Sequence, residues 1–208
     1  YRRMQGNISD VSTLRTTMKA MDFLGAKPVH FILDRGFYSE ANLKNIAGKG
    51  QKFTIPVPSS LKWQKELIDK VRPSIRRPAN IIRNPEDDKT FIYGVTDYKT
   101  ESYGRTWRHV YFDPARKEQD IASLMLKLRK CEEELTGGNL AEKNRHLYET
   151  YFTVKETPKR GRKVSLDEAA VDAYINGYSG FWLFLTNAEK DASKAREHYN
   201  RRCDIEFT

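Results

Sequence analysis

Val29-His30-Phe31-Ile32-Leu33, followed at once by Asp34-Arg35-Gly36, is the stretch on which the fold turns. A nearly continuous apolar run of this length predicts a strand buried on both faces. It stops abruptly at an Asp-Arg-Gly turn. Upstream, Asp10 is placed to cap a helix through Val11, Leu14, Met18, Met21 and Leu24, closed by Gly25. Downstream, Ser39 can cap a short helix over 40–47, and Phe53-Thr54-Ile55-Pro56-Val57 reads as the next strand. Helix, strand, helix, strand implies an α/β layer with neighbouring parallel strands.

Past Leu61 the pattern changes. A helical stretch around 63–71 leads into a basic, proline-containing connector with Arg72, Arg76, Arg77 and Arg83. Residues 91–98 and 105–112 read as a β-hairpin with Gly104 near its turn. Pro114, after Asp113, opens a long amphipathic helix with the stripe Ile121, Leu124, Met125, Leu128, Cys131 and Leu135, ended by Gly137-Gly138. A second helix is expected over 141–148. Lys159-Arg160-Gly161-Arg162-Lys163 reads as a solvated basic loop, with a DNA-backbone contact as the alternative. Ser165-x-x-Glu168 has the form of a capping box for a short helix ending at Gly177. Phe181-Trp182-Leu183-Phe184-Leu185 is another buried strand, and a final helix starts near Asp191.

Composition narrows the function classes. Lys and Arg number 37 against 28 Asp and Glu, a formal net charge of +9, which favours a polyanionic partner through counterion release. Cys131 and Cys203 form no C-x-x-C pair, so neither a zinc site nor a disulfide framework is indicated, and a reducing cytoplasmic setting is expected. No apolar stretch approaches the ~20 residues of a membrane span, so no membrane partner is expected. The four histidines lack metalloprotease spacing, and no phosphate-binding glycine loop is present.

Two places can carry chemistry. Asp34 sits at the carboxyl end of a buried strand, where α/β folds place their ligand sites, although it could simply cap the following turn. Tyr199, Arg202 and Glu206 share one helix face with Ala192, Ala195 and Cys203. On an inward face, Arg and Glu must pair or meet a metal or phosphate; on an outward one they are an ordinary ion pair.

These pieces resemble a known family. Asp34-Arg35-Gly36-Phe37-Tyr38-Ser39 is similar to the D-R-G-F/Y-x-S segment around the second aspartate of insertion-sequence DDE transposases. Tyr199-Asn200-Arg201-Arg202-Cys203-Asp204-Ile205-Glu206 is similar to their Y-x2-R-x3-E signature. Gly180-Phe181-Trp182-Leu183-Phe184-Leu185-Thr186-Asn187 resembles the strand before the signature helix. Gly6-Asn7-Ile8-Ser9-Asp10 resembles the turn after their third strand. The four occur in the family's order; residues 61–163 are poorly covered.

The resemblance implies an RNase H-like α/β fold: a mixed sheet flanked by helices, with an α+β insertion domain before the last catalytic helix. Residues 1–60 would be the first part of the core, 61–179 the insertion and 180–208 the final strand and catalytic helix. Asp34 and Glu206 would be catalytic metal ligands for Mg2+ or Mn2+, because hard cations that bracket a phosphodiester want carboxylate oxygens. Tyr199, Arg202, Arg35 and Asn187 would contact DNA. Trp182 would be a platform for an unstacked base or plain core packing. The partners would be transposon ends and target DNA, bound as a dimer on DNA at the bacterial nucleoid. The family's first aspartate lies upstream of Tyr1 and its signature ends in a Lys beyond Thr208, so the chain reads as cut at both ends and is expected to be inactive alone. A non-catalytic DNA-binding relic and an RNase H-like nuclease are the alternatives.

Overall fold

The computed structural model describes residues 29–84, 87–157 and 161–201. The helix expected after Asp10, the Gly6-Asn7 turn, Lys159, Arg160, Arg202, Cys203 and Glu206 lie outside the described residues. In chain order the described elements are β1 (His30–Ile32), a 3-10 turn (Arg35–Phe37), α1 (Glu40–Gly48), β2 (Lys52–Pro56) and α2 (Lys62–Ile75). A 3-10 turn (Pro78–Asn80), β3 (Ile81–Asn84), β4 (Asp87–Glu101), β5 (Gly104–Phe112) and α3 (Pro114–Gly137) follow. The remainder are a 3-10 turn (Glu142–Asn144), α4 (Arg145–Tyr151), β6 (Phe152–Thr157), β7 (Gly161–Leu166), α5 (Glu168–Gly177), β8 (Phe181–Thr186) and α6 (Ala192–Asn200). They fall into two compact units, Tyr1–Phe112 with Trp182–Thr208, and Asp113–Phe181.

The first unit is a mixed sheet flanked by helices, in the order β1-β2-β8-β5-β4-β3. β1 and β2 are parallel, with Phe31 opposite Phe53, as the helix-strand alternation requires. β8 runs antiparallel to β2, and β4 pairs antiparallel with both β5 and β3. Burial of β1 differs from expectation: His30–Ile32 are only half-buried, and Leu33 is the buried member of the run. Among the described residues β1 is the last strand of the sheet, so nothing described covers its far side.

Period-two alternation sorts the side chains between two faces. Phe53 and Ile55 project to one side, where α1 lays down Leu43 and Ile46. Thr54, Thr186 and Phe184 project to the other, where α6 packs. α2 buries Gln64, Leu67, Ile68, Val71 and Ile75, a stripe at helical spacing that carries the helix four residues beyond the expected end at Val71. Gly94 on β4 lies under α6: a Cβ there would run into Ile82 and press on Ala192.

In the second unit, Asp113 accepts from the Ala115 N–H at 2.8 Å to cap α3, and Gly138 ends it with φ +76°. Leu124, Leu128, Cys131 and Leu135 are buried as the stripe requires, but Met125 is 39% exposed. Tyr151 and Val171 complete the core with Leu124 and Leu128. The helix expected over 141–148 begins as the 3-10 turn and continues to Tyr151. Two further expectations are corrected. Arg162 and Lys163 lie on a strand, β7, rather than in a loop, because Phe152 on the paired β6 packs onto the core and anchors the ribbon. Ser165 is also in β7, opposite Thr153, and Asp167 caps α5 by accepting from Ala170 N–H at 3.0 Å.

Gly180 closes this unit. Its φ is +78°, and a Cβ there would lie 2.7 Å from the Asp113 carbonyl oxygen. That closeness lets Asp113 N–H donate to Gly180 O at 3.0 Å, while Gly180 N–H donates to Asp120 Oδ2 at 2.9 Å. No helix among the described residues is long and apolar enough to cross a membrane.

The cap assignment predicts that Asp167→Ala lowers stability by about 1 kcal/mol. Ser165→Ala should stay within about 0.5 kcal/mol. Urea denaturation measures both; the reverse order would restore Ser165 as the cap.

Candidate active site

Asp34 follows β1 with an extended backbone, φ −75° and ψ 160°. Leu33 N–H donates to Thr54 O at 3.0 Å, so the pairing with β2 runs right up to it. Alternation then puts His30, Ile32 and Asp34 on one face, the face that carries α6. The turn beyond is held locally. Asp34 O accepts from Phe37 N–H at 3.1 Å and Arg35 O from Tyr38 N–H at 3.0 Å. Asn42 Nδ2 donates to Phe37 O at 2.9 Å, and Ser39 caps α1 by accepting from Asn42 N–H at 3.1 Å. Asp34 and Arg35 are both exposed.

α6 is fixed to the same face from its start. His109 on β5 is fully buried and lies 3.0 Å from Glu189 O through Nε2; a carbonyl can only accept, so Nε2 carries the proton. Nδ1 then accepts from Thr96 Oγ1 at 2.9 Å. Burial holds His109 below the usual histidine range, partly offset by its bond to the Glu189 carbonyl. Next to it, the buried Tyr111 hydroxyl donates to Ala192 O at 2.7 Å. Asp191 caps the helix through Lys194 N–H at 2.9 Å. With Ala192 and Ala195 buried, α6 turns back over β8 until Tyr199 meets Phe184, ring centroids 4.5 Å apart.

A proton chain crosses the sheet beneath it. Thr186 Oγ1 donates to Phe53 O at 2.6 Å, which uses its only hydrogen. Thr54 Oγ1 must therefore donate to Thr186 Oγ1 at 2.9 Å, and His30 Nε2 must donate to Thr54 Oγ1 at 2.9 Å. Both threonines are fully buried. The ring of His30 meets that of His198 edge-on at 5.9 Å. Burial, His198 and Lys52 lower the His30 pKa, against a smaller upward pull from Glu189.

The remaining expected site residues are placed as follows. Trp182 stacks on Tyr111 at 5.2 Å and 18°, joining the cluster of Ile92, Tyr111, Phe184 and Ala192. Asn187 accepts from Phe53 N–H through Oδ1 at 2.8 Å and donates through Nδ2 to Gln51 O at 3.1 Å, so its amide extends the β2–β8 ladder. Asp34 and Trp182 belong to the sheet face under α6, and Tyr199 packs onto that face from the helix. Arg202 and Glu206 lie outside the described residues. Among the described residues no three His, Cys, Asp or Glu side chains gather into a metal-holding group. The exposed hard oxygen of Asp34 at a strand end suits a divalent cation. The sequence reading missed His30, Thr54, His109, Tyr111 and Thr186. Their one signal was a polar side chain inside each apolar strand.

A family model described as the transposase DDE domain matches residues 2–208. No curated protein and no solved structure matches the chain.

Because folding lowers the His30 pKa, the unfolded chain takes up the proton first as pH falls through about 6.5. Stability is therefore full above that value and declines below it, with His109 contributing in the same direction. Urea midpoints from pH 8 to 5 should show His30→Gln losing less stability on the acid side than the parent chain. An identical acid-side loss would show that His30 is not coupled to folding.

Proposed function

The chain belongs to the transposase DDE domain family, and on that footing we propose that it supplies metal-dependent cleavage and joining of DNA at transposon ends. Asp34 and Glu206 would hold Mg2+ or Mn2+, with the family's upstream aspartate as a further ligand. The ions would activate the attacking oxygen and offset charge on the reacting phosphate. Asp34 holds its carboxylate at the strand end on extended backbone, and the turn bonded behind it fixes that position.

The observation that carries this reading is the course of α6. Because it returns over β8, and β8 is antiparallel to β2, α6 runs in the direction of β1 and β2. His198 stands beside His30. That course supports two acidic side chains, remote in sequence, serving one cation. Arg202, four positions before Glu206 in sequence, would grip a phosphate through its two-pronged guanidinium. Tyr199 and Arg35 would lie along the same DNA backbone. Trp182 has one face on Tyr111, and the reading gives its other face to an unstacked base. Asn187 would act from the edge of the ladder it extends. The 61–179 insertion would sit between the two halves of the core, and the enzyme would act as a dimer on DNA in the bacterial cytoplasm.

In the transposase that carries this domain, Asp34→Ala and Glu206→Ala should each abolish Mg2+-dependent nicking of a labelled transposon end, with DNA binding retained. Asp34→Cys should be inactive with Mg2+ and partly restored by Mn2+, which tolerates a softer ligand. Cleavage by Asp34→Ala, or an Asp34→Cys variant indifferent to the metal, would refute the assignment. Joining of the cut end to a target duplex separates a transposase from a nuclease.

A further inference from the structure

The β6–β7 ribbon carries a feature that the catalytic reading leaves unused. Its strands pair residue for residue, with Thr153 opposite Ser165, Val154 opposite Val164, Lys155 opposite Lys163 and Glu156 opposite Arg162. Alternation divides the ribbon into two faces. One carries Phe152, Val154, Val164, Glu156 and Arg162 and turns toward α3: Arg162 donates through Nη1 to Leu135 O at 3.0 Å and through Nε to Glu156 at 2.8 Å. The other carries Thr153, Lys155, Lys163 and Ser165, all exposed.

Directly opposed residues of an antiparallel pair have Cβ atoms about 5 Å apart, and like charges placed there destabilise it. Among the described residues no carboxylate pairs with Lys155 or Lys163. The charge is local to the ribbon. Residues 155–163 hold five basic residues and one acidic, whereas the rest of the Asp113–Phe181 unit holds seven basic and eleven acidic. A unit that is acidic outside the ribbon thus carries one outward face with two opposed ammonium groups flanked by two hydroxyls.

We propose that this face, Lys155 and Lys163 with Thr153 and Ser165, binds the phosphate backbone of duplex DNA. A phosphate between the lysines turns their repulsion into attraction and releases counterions. Hydroxyl groups beside them donate to phosphate oxygens, as such side chains do in protein–DNA contacts. A two-stranded ribbon is also a shape that the major groove admits. The choice of DNA over other polyanions rests on the transposase reading.

The test is binding of the chain to a labelled duplex of arbitrary sequence, between about 50 and 200 mM salt. Replacing both lysines, Lys155→Gln with Lys163→Gln, should lower affinity about tenfold or more at low salt. It should reduce the slope of log affinity against log salt by about 2. Lys163→Glu should move two readouts in opposite directions: thermal stability rises, because opposite charges now face each other, and DNA affinity falls. An unchanged salt slope in the double variant, or a Lys163→Glu chain that binds like the parent, overturns the proposal. So does an equal loss on poly-glutamate. These measurements need no metal and no cleavage, so failure of Asp34→Ala to abolish nicking would remove the catalytic reading without affecting the binding result.

Discussion

The arrangement depends on how one short helix is tied to a sheet. α6 has only nine residues and two buried alanines, too little apolar surface to fix its direction by burial alone. Direction comes from β5, where two buried donors, the His109 imidazole and the Tyr111 hydroxyl, engage carbonyls at Glu189 and Ala192 just before and at the first turn. Each would be costly to leave unsatisfied in a dry interior, so the helix start is pinned to about a hydrogen-bond length. With Gly94 leaving room beneath Ala192, the helix has a single course, and everything proposed for its far end follows from that course.

The local signals were legible and the long-range ones were not. The apolar run ending at Asp34, the Ser39 cap, the hairpin around Gly104 and the stripe of α3 each depend on residues a few positions apart. The proton chain through His30, Thr54 and Thr186 needs the register of strands whose threonines lie 132 positions apart, and no periodicity carries that. Two misreadings had local causes. Ser165 and Asp167 both suit a helix start, and only the pairing of β7 with β6 as far as Leu166 decides between them. The ribbon itself was hidden by its charge, since Phe152 is its single well-anchored apolar residue.

The site shows how far one sheet face can be prepared before any ligand arrives. Asp34 is exposed, but the backbone before it is paired and the turn after it is bonded at several points. Asn187 supplies a ladder rung from a side chain, which places it among the supports of β2.

The clasp between Asp113 and Gly180 has a consequence for what the chain can tolerate. Where the polypeptide leaves β5 and where it comes back to β8, the two strands of backbone are bonded to each other, so the intervening segment begins and ends at one point. The entropy of closing such an excursion grows only logarithmically with its length, about 0.6 kcal/mol per doubling. A shorter or longer passenger could be exchanged at that junction at little entropic cost, provided the glycine at its neck is kept.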